Sequence, residues 1–188
     1  MFSCQRLIVF DTEWTSWPGF IESGWNQPGH YREIVQIGAA KLAVDDAFRE
    51  IDSFEILVQP QKNPDLSEYF TKLTGITQEY VDNHGVKFPA GLATFMSFIG
   101  QEPVQFACFG ADVKVIDENC RMSGISMPDR FHDFVDVKQE LLNRSITQKD
   151  WYSSHLPARL GLDTAGDAHD ALSDARAVAS AIRKFLGQ

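Results

Sequence analysis

The sequence predicts an α/β fold, a mixed five-stranded sheet flanked by helices. Three observations lead there. Short apolar runs of strand type fill the first third of the chain, and helical and strand-like patterns alternate after it. Strands first and alternation afterwards give a mixed sheet with helices packed on it. The length of 188 residues suits one domain with a full hydrophobic core. A composition of 44% hydrophobic and 23% charged residues is that of an ordinary globular protein. No internal repeat, low-complexity tract or linker divides residues 1–188, so a single domain is expected.

Each element has its own justification. Residues 6–10 form a continuous apolar run rich in branched side chains, which reads as a buried strand with Asp11 and Glu13 at or just past its end. Residues 15–31 contain Pro18, Gly19, Gly24, Pro28 and Gly29, and Trp14, Trp17, Phe20 and Trp25 lie in or beside them. A loop of this length is expected, either a lid or an insertion, because loops above about 12–15 residues tend to be functional or mobile. Residues 33–44 resume a strand, Asp45-Asp46 marks a turn, and residues 53–58 form a third strand. Short turns between early strands imply an antiparallel start to the sheet.

Helices follow. Residues 66–73 read as a helix stopped by Gly75, and Thr77 caps another over 78–83. Pro89 opens a helix that runs to residue 99 and stops at Gly100. Residues 104–109 are a buried-type strand, 112–122 a helix ended by Ser123-Gly124, and 131–137 a last strand. Residues 137–142, 153–160 and 168–186 complete the helices.

Charge and cysteines narrow the function. A formal net charge of -9 and a pI near 4.9 do not suit a duplex-DNA binder with a basic face. Nucleic acid stays possible as a substrate, because bound metal cations can carry the phosphate-facing charge. Cys4, Cys108 and Cys120 are odd in number and have no paired spacing, which suits a reducing, intracellular setting. The N-terminal apolar run is too short and too soon acidic for a signal peptide, and no stretch approaches the roughly 20 apolar residues of a membrane span. A soluble, cytoplasmic protein is the expectation. No Gly-rich phosphate loop, nucleophilic Ser or Cys triad, or zinc spacing is present.

Acidic residues carry the chemistry. Asp11 and Glu13, two apart on a strand, project to the same face and can reach one cation. The pattern alone is weak, since acids often flank strand ends. Its position counts for more, because ligand sites in open sheets lie beyond the carboxyl ends of strands. Asp112 follows the strand at 104–109 through Gly110-Ala111. By itself it reads as a first-turn acid favoured by the helix dipole, and Asp117 is its rival as a middle ligand. His169 and Asp174 are five apart, a poor same-face spacing on a helix. They converge only if His169 lies in the preceding loop or first turn. Gly166 and the acids Asp163, Asp167 and Asp170 suit such a junction, with Asp170 read as another first-turn acid. Four clustered carboxylates repel one another unless protonated or neutralised. Two divalent cations would neutralise them, and oxygen ligands suit Mg²⁺ or Mn²⁺. Two metals about 3.5–4 Å apart can stabilise both oxygens of an in-line displacement at phosphorus. A histidine beside them, with an ordinary pKa of about 6.5, can take the proton of the attacking water.

With these residues the chain resembles the DEDDh 3′→5′ exonucleases of the ribonuclease H-like superfamily. Phe10-Asp11-Thr12-Glu13 matches the first motif, and His169-Asp170-Ala171-Leu172-Ser173-Asp174-Ala175 matches the third. Phe109-Gly110-Ala111-Asp112 is a looser match to the second. The stretch from Val58-Gln59-Pro60 through Leu66-Ser67 to Leu73-Thr74-Gly75-Ile76-Thr77-Gln78 is most similar to the histone-mRNA and RNA-interference exonuclease branch. The resemblance implies a ribonuclease H-like fold and metal ligands Asp11, Glu13, Asp112 and Asp174. It implies two Mg²⁺ or Mn²⁺ ions, with His169 as general base and Glu13 beside it in the catalytic set. It further implies that Trp14, Leu73, Thr74, Ile76 and His169 hold the terminal nucleotide. The expected activity is 3′→5′ hydrolysis of single-stranded nucleic acid, RNA more than DNA, with release of 5′-mononucleotides. A DNA-directed proofreading or repair enzyme and a non-catalytic nucleic-acid-binding module on the same fold are the alternatives.

The remaining polar residues read as structural. His30, His84, His132 and His155 share no metal-ligand spacing, and no motif supports Asp133 or Asp136. Lys114, Arg121 and Arg176 read as cations on solvated helix faces.

Overall fold

Strand β1 (Arg6–Trp14) runs through the interior of the sheet and carries both core residues and the first two acids. It is nine residues long, longer than its apolar run predicts. Asp11, Thr12 and Glu13 stay in the ladder because β2 (Ile34–Ala43) continues opposite them, pairing Asp11 with Gly38 and Glu13 with Gln36. The computed structural model describes residues 2–23, 27–162, 166 and 168–187. Gly24 and Trp25 of the expected loop, and Asp163 and Asp167 of the expected helix junction, lie outside the described residues.

β3 (Arg49–Gln59) pairs antiparallel with β2, and β4 (Val86–Lys87) pairs parallel with β3. On the other side, β5 (Gln105–Cys108) lies parallel to β1, and β6 (Phe134–Asp136) lies parallel to β5. The order is β4-β3-β2-β1-β5-β6, so among the described residues the sheet has six strands and not the expected five. The extra member is β4, whose two residues are too few to register as a hydrophobic run.

The helices are α1 (Phe20–Ser23), α2 (Glu68–Thr74), α3 (Gln78–His84), α4 (Phe88–Ile99), α5 (Asp112–Met122), α6 (Val137–Asn143), α7 (Leu156–Leu160) and α8 (Ala171–Phe185). Ser67 and Thr77 cap α2 and α3 by accepting the backbone N–H groups of Phe70 and Tyr80, which satisfies donors the helix leaves open. Gly75 ends α2 in the left-handed region at φ 76°, a conformation that costs glycine nothing. Three expectations are corrected. The loop at 15–31 contains the short α1. The strand expected from residue 131 begins only at Phe134, because Phe131 anchors a 3-10 turn and packs on Phe10, Phe95 and Phe106. The helix expected over 153–160 is a 3-10 turn, Ser153–His155, followed by α7.

Alternation along β1 divides the core. Leu7 and Val9 face one way, into a cluster with Val137 and Leu141 of α6 and Val178 and Ile182 of α8. Ile8 and Phe10 face the other way, with Phe95 of α4 and Val115 and Ile116 of α5. Burying each such side chain contributes about 1.5–3 kcal/mol. Odd-numbered β1 residues therefore face α8, and Asp11 and Glu13 inherit that direction. No helix among the described residues is long and apolar enough to cross a membrane.

Candidate active site

The site begins where β1 stops being apolar. Asp11 is 5% exposed and Glu13 is 9% exposed, both on the face covered by α8. Thr12 points to the opposite face and meets Asp112, the first residue of α5. Its backbone N–H donates to Asp112 Oδ1 at 3.0 Å and its hydroxyl to the same oxygen at 2.7 Å. These bonds fix the Asp112 carboxylate across the ends of two parallel strands, β1 and β5. Asp117 instead pairs with Arg121 one helical turn on. Of the two candidates for the middle position, Asp112 is the one whose charge acts on Asp11 and Glu13.

Helix α8 supplies the other half. Asp170 is not a helical residue but the cap: its backbone is extended, and its carboxylate accepts the N–H of Ser173. His169 precedes the cap with φ 62°, a left-handed backbone rarely taken by residues other than glycine. That turn brings it back over the helix start, and its backbone N–H hydrogen-bonds to the Asp174 carboxylate. Ligand atoms of Glu13, His169 and Asp174 lie within 4.8 Å of one another. Ser153 of the 3-10 turn donates its hydroxyl to Asp174 Oδ2 at 3.4 Å.

Two residues that set this geometry escaped the sequence reading. Gly38, opposite Asp11 in β2, meets the start of α8 directly: a Cβ there would fall 2.1 Å from Leu172 N and 2.3 Å from Ala171 C. A glycine inside a strand marks such close approach of another backbone, and that was the available signal. Gln36, opposite Glu13, accepts the N–H of Ala171 at 3.0 Å and donates to Asp170 Oδ1 at 2.9 Å. A buried-type strand interrupted by a glutamine was the sign of it.

Burial and mutual repulsion dominate the electrostatics. Burial, then Asp112, Asp174 and Glu13, hold the Asp11 pKa well above the carboxylate range. Burial, then Asp174 and Asp112, do the same for Glu13. Burial raises Asp112 to about 6, against the hydrogen bonds from Thr12, and raises Asp174 to about 7. Burial, followed by the charge of His155, pushes His169 below its ordinary value and favours the neutral imidazole. Clustered, buried, oxygen-only acids that resist ionising together are the donor set a hard divalent cation satisfies. The residues fit such a metal.

The other candidates make contacts of their own. Trp14 packs against the Phe10 side of the core, and Ile76 is buried with Val35, Leu57, Phe70 and Val81. Leu73 is partly buried. Thr74 bonds back to the Phe70 carbonyl at 3.0 Å. Arg176 pairs with Glu50 at 2.7 Å, Lys114 is exposed, and His30 stacks on Trp17 with ring centroids 4.0 Å apart. Asp136 caps α6 by accepting the N–H of Gln139. The buried thiols of Cys108 and Cys120 are raised by burial, the latter to about 11, as befits unreactive core residues.

Known proteins resemble this chain in sequence and in fold. The family model described as "Exonuclease" matches residues 8–182. The mouse ERI1 exoribonuclease 2 is 29% identical over 206 residues and the Xenopus laevis protein of that name 27% identical over 213 residues. The alignments cover 96% and 97% of this chain, which spans only 28% of the length of each relative. Among solved structures, the nuclease domain of 3′hExo, described as a DEDDh family member bound to rAMP, superposes with a TM-score of 0.82. It is 22% identical, over 97% of this chain and 92% of that one. By its match to that family model over residues 8–182, the chain belongs to the exonuclease family.

Proposed function

We propose that the chain hydrolyses phosphodiester bonds at the 3′ end of single-stranded nucleic acid, RNA in preference to DNA, and releases 5′-mononucleotides. The observation that carries this reading is the convergence of Glu13, Asp174 and His169, with Asp11 and Asp112 near enough for their charges to act on the same carboxylates. The preference for RNA is supported by the exoribonuclease names of the relatives and by the rAMP in the 3′hExo structure.

Asp11, Glu13, Asp112 and Asp174 would hold two divalent cations, Mg²⁺ or Mn²⁺. Such ions supply positive charge to the attacking and leaving oxygens of an in-line displacement. His169, kept neutral by burial, takes a proton from the attacking water as the new O–P bond forms. The bond from phosphorus to the 3′-oxygen of the upstream nucleotide breaks, and that oxygen takes up a proton. General-base assistance of this kind contributes about 10²–10⁴-fold. Trp14, Leu73, Thr74 and Ile76 hold the terminal nucleotide in this reading.

Matched single-stranded RNA, single-stranded DNA and duplexes with 3′ overhangs, labelled at the 5′ end, test it with Mg²⁺ or Mn²⁺. The expected result is a descending ladder from the 3′ end, faster on RNA. Faster digestion of DNA would move the assignment to a proofreading or repair enzyme. Binding without cleavage of any substrate would leave a non-catalytic nucleic-acid-binding module.

A further inference from the structure

The 3-10 turn Ser153–His155 packs against α8, and Ser153 touches Asp174, so the residues on either side border the carboxylate cluster. Tyr152 is 44% exposed there. Its ring stands edge-on to the His155 ring, with centroids 5.4 Å apart and planes at 70°. His155 Nδ1 also accepts the backbone N–H of Tyr152 at 3.3 Å, which fixes ring and peptide together. Lys138, near the start of α6, places Nζ 5.7 Å from the centre of the Tyr152 ring and donates to the Trp151 carbonyl at 2.8 Å.

The same lysine passes Gly110, two residues before Asp112, and the charges of Asp136 and Asp150 act on it. A Cβ at Gly110 would lie 3.6 Å from Lys138 Cδ, so the lysine stem runs along the turn that leads into α5. His155 lies near enough to His169 for its charge to oppose protonation there. Tyr31 and Tyr80 are exposed too, and Tyr80 also packs on a histidine. Tyr152 differs in having a lysine at its ring and, as the next residue, Ser153, which donates to Asp174 of the cluster.

A fixed aromatic face beside a cation is the combination that single-stranded nucleic acid uses, bases stacking on the ring and phosphates meeting the charge. In a chain of net charge -9, a lysine beside an acidic cluster matters for the approach of a polyanion. We propose that Tyr152, Lys138 and His155 form a subsite for the nucleotide on the 5′ side of the scissile phosphate. Tyr152 stacks on its base and Lys138 meets a backbone phosphate. The subsite rests on the exonuclease reading above.

Steady-state kinetics on a single-stranded RNA pentanucleotide test it. Tyr152→Ala raises KM about tenfold, the order that loss of one base–aromatic stack produces, while Tyr152→Phe keeps the wild-type KM. Lys138→Gln makes the slope of log(kcat/KM) against log salt shallower by about 0.7, as expected for one phosphate contact to a single strand. An unchanged KM in Tyr152→Ala, a loss confined to kcat, an equal loss in Tyr152→Phe, or an unchanged salt slope in Lys138→Gln would overturn the subsite and leave the exonuclease reading standing. A wild-type protein inert on every oligonucleotide overturns the exonuclease reading itself.

Discussion

His169 occupies a left-handed backbone position, which costs a residue other than glycine about 1–3 kcal/mol. The surroundings offset that cost: its N–H bonds to Asp174, and the next residue caps α8. The imidazole is thereby set beside Glu13 and Asp174, and burial keeps it neutral. His169→Ala should lower kcat by about 10²–10⁴-fold while leaving circular dichroism and melting temperature near wild type. Turnover at the wild-type rate would remove His169 from the role of base. At this scale the sequence was informative about residue type but not about direction. A separation of five between His169 and Asp174 reads as two faces of a helix, and only the turn at His169 reconciles them. Asp112 was the preferred middle ligand for its place just past a strand, with Asp117 as its rival in the same helical segment. The Thr12 hydrogen bonds and the Arg121 ion pair separate them, and both come from neighbours that a linear reading does not rank.

At the scale of elements, the site depends on how closely α8 lies on β2. Gly38 has no side chain at the contact, and Gln36 ties the first turn of the helix to the strand. Adding one methyl group at Gly38 would meet backbone atoms of α8 at 2.1–2.6 Å, which cannot yield as a flexible side chain would. Gly38→Ala should therefore displace the helix start, lower the melting temperature and reduce kcat together. A variant with wild-type activity and melting temperature would show that the helix can shift without disturbing Asp174 and His169. Helix boundaries were legible wherever caps announced them, as at Thr77 and Gly75. They were not legible at residue 131, where a buried phenylalanine in a turn looks like part of a strand, or at residue 86, where the strand is two residues long.

For the whole molecule, the acid cluster couples pH, metal and stability. Without metal, Asp112 and Asp174 titrate in the folded protein at about 6 and about 7, above the value of about 3.9 for an aspartate in an unfolded chain. The folded state then holds protons that the unfolded state has released. The contribution of these groups is fully present below pH ~4 and is lost as pH rises through ~7. In EDTA the melting temperature should fall between pH 5.5 and pH 8. The fall should shrink in Asp112→Asn/Asp174→Asn, and Mn²⁺ should reverse it in wild type by binding the folded state. A melting temperature that is flat or rising over that interval in EDTA would contradict the raised carboxylates.

By itself the sequence determined the α/β class, the antiparallel start of the sheet and the residue types of the site. These follow from local causes: runs of branched side chains, caps, and carboxylates at the end of a strand. Only the tertiary structure decided which acids meet, how His169 returns over the start of α8, and that Gly38 and Gln36 set the distance between helix and strand. Those outcomes depend on contacts between residues as much as 135 positions apart, and spacing along the chain carries no record of them.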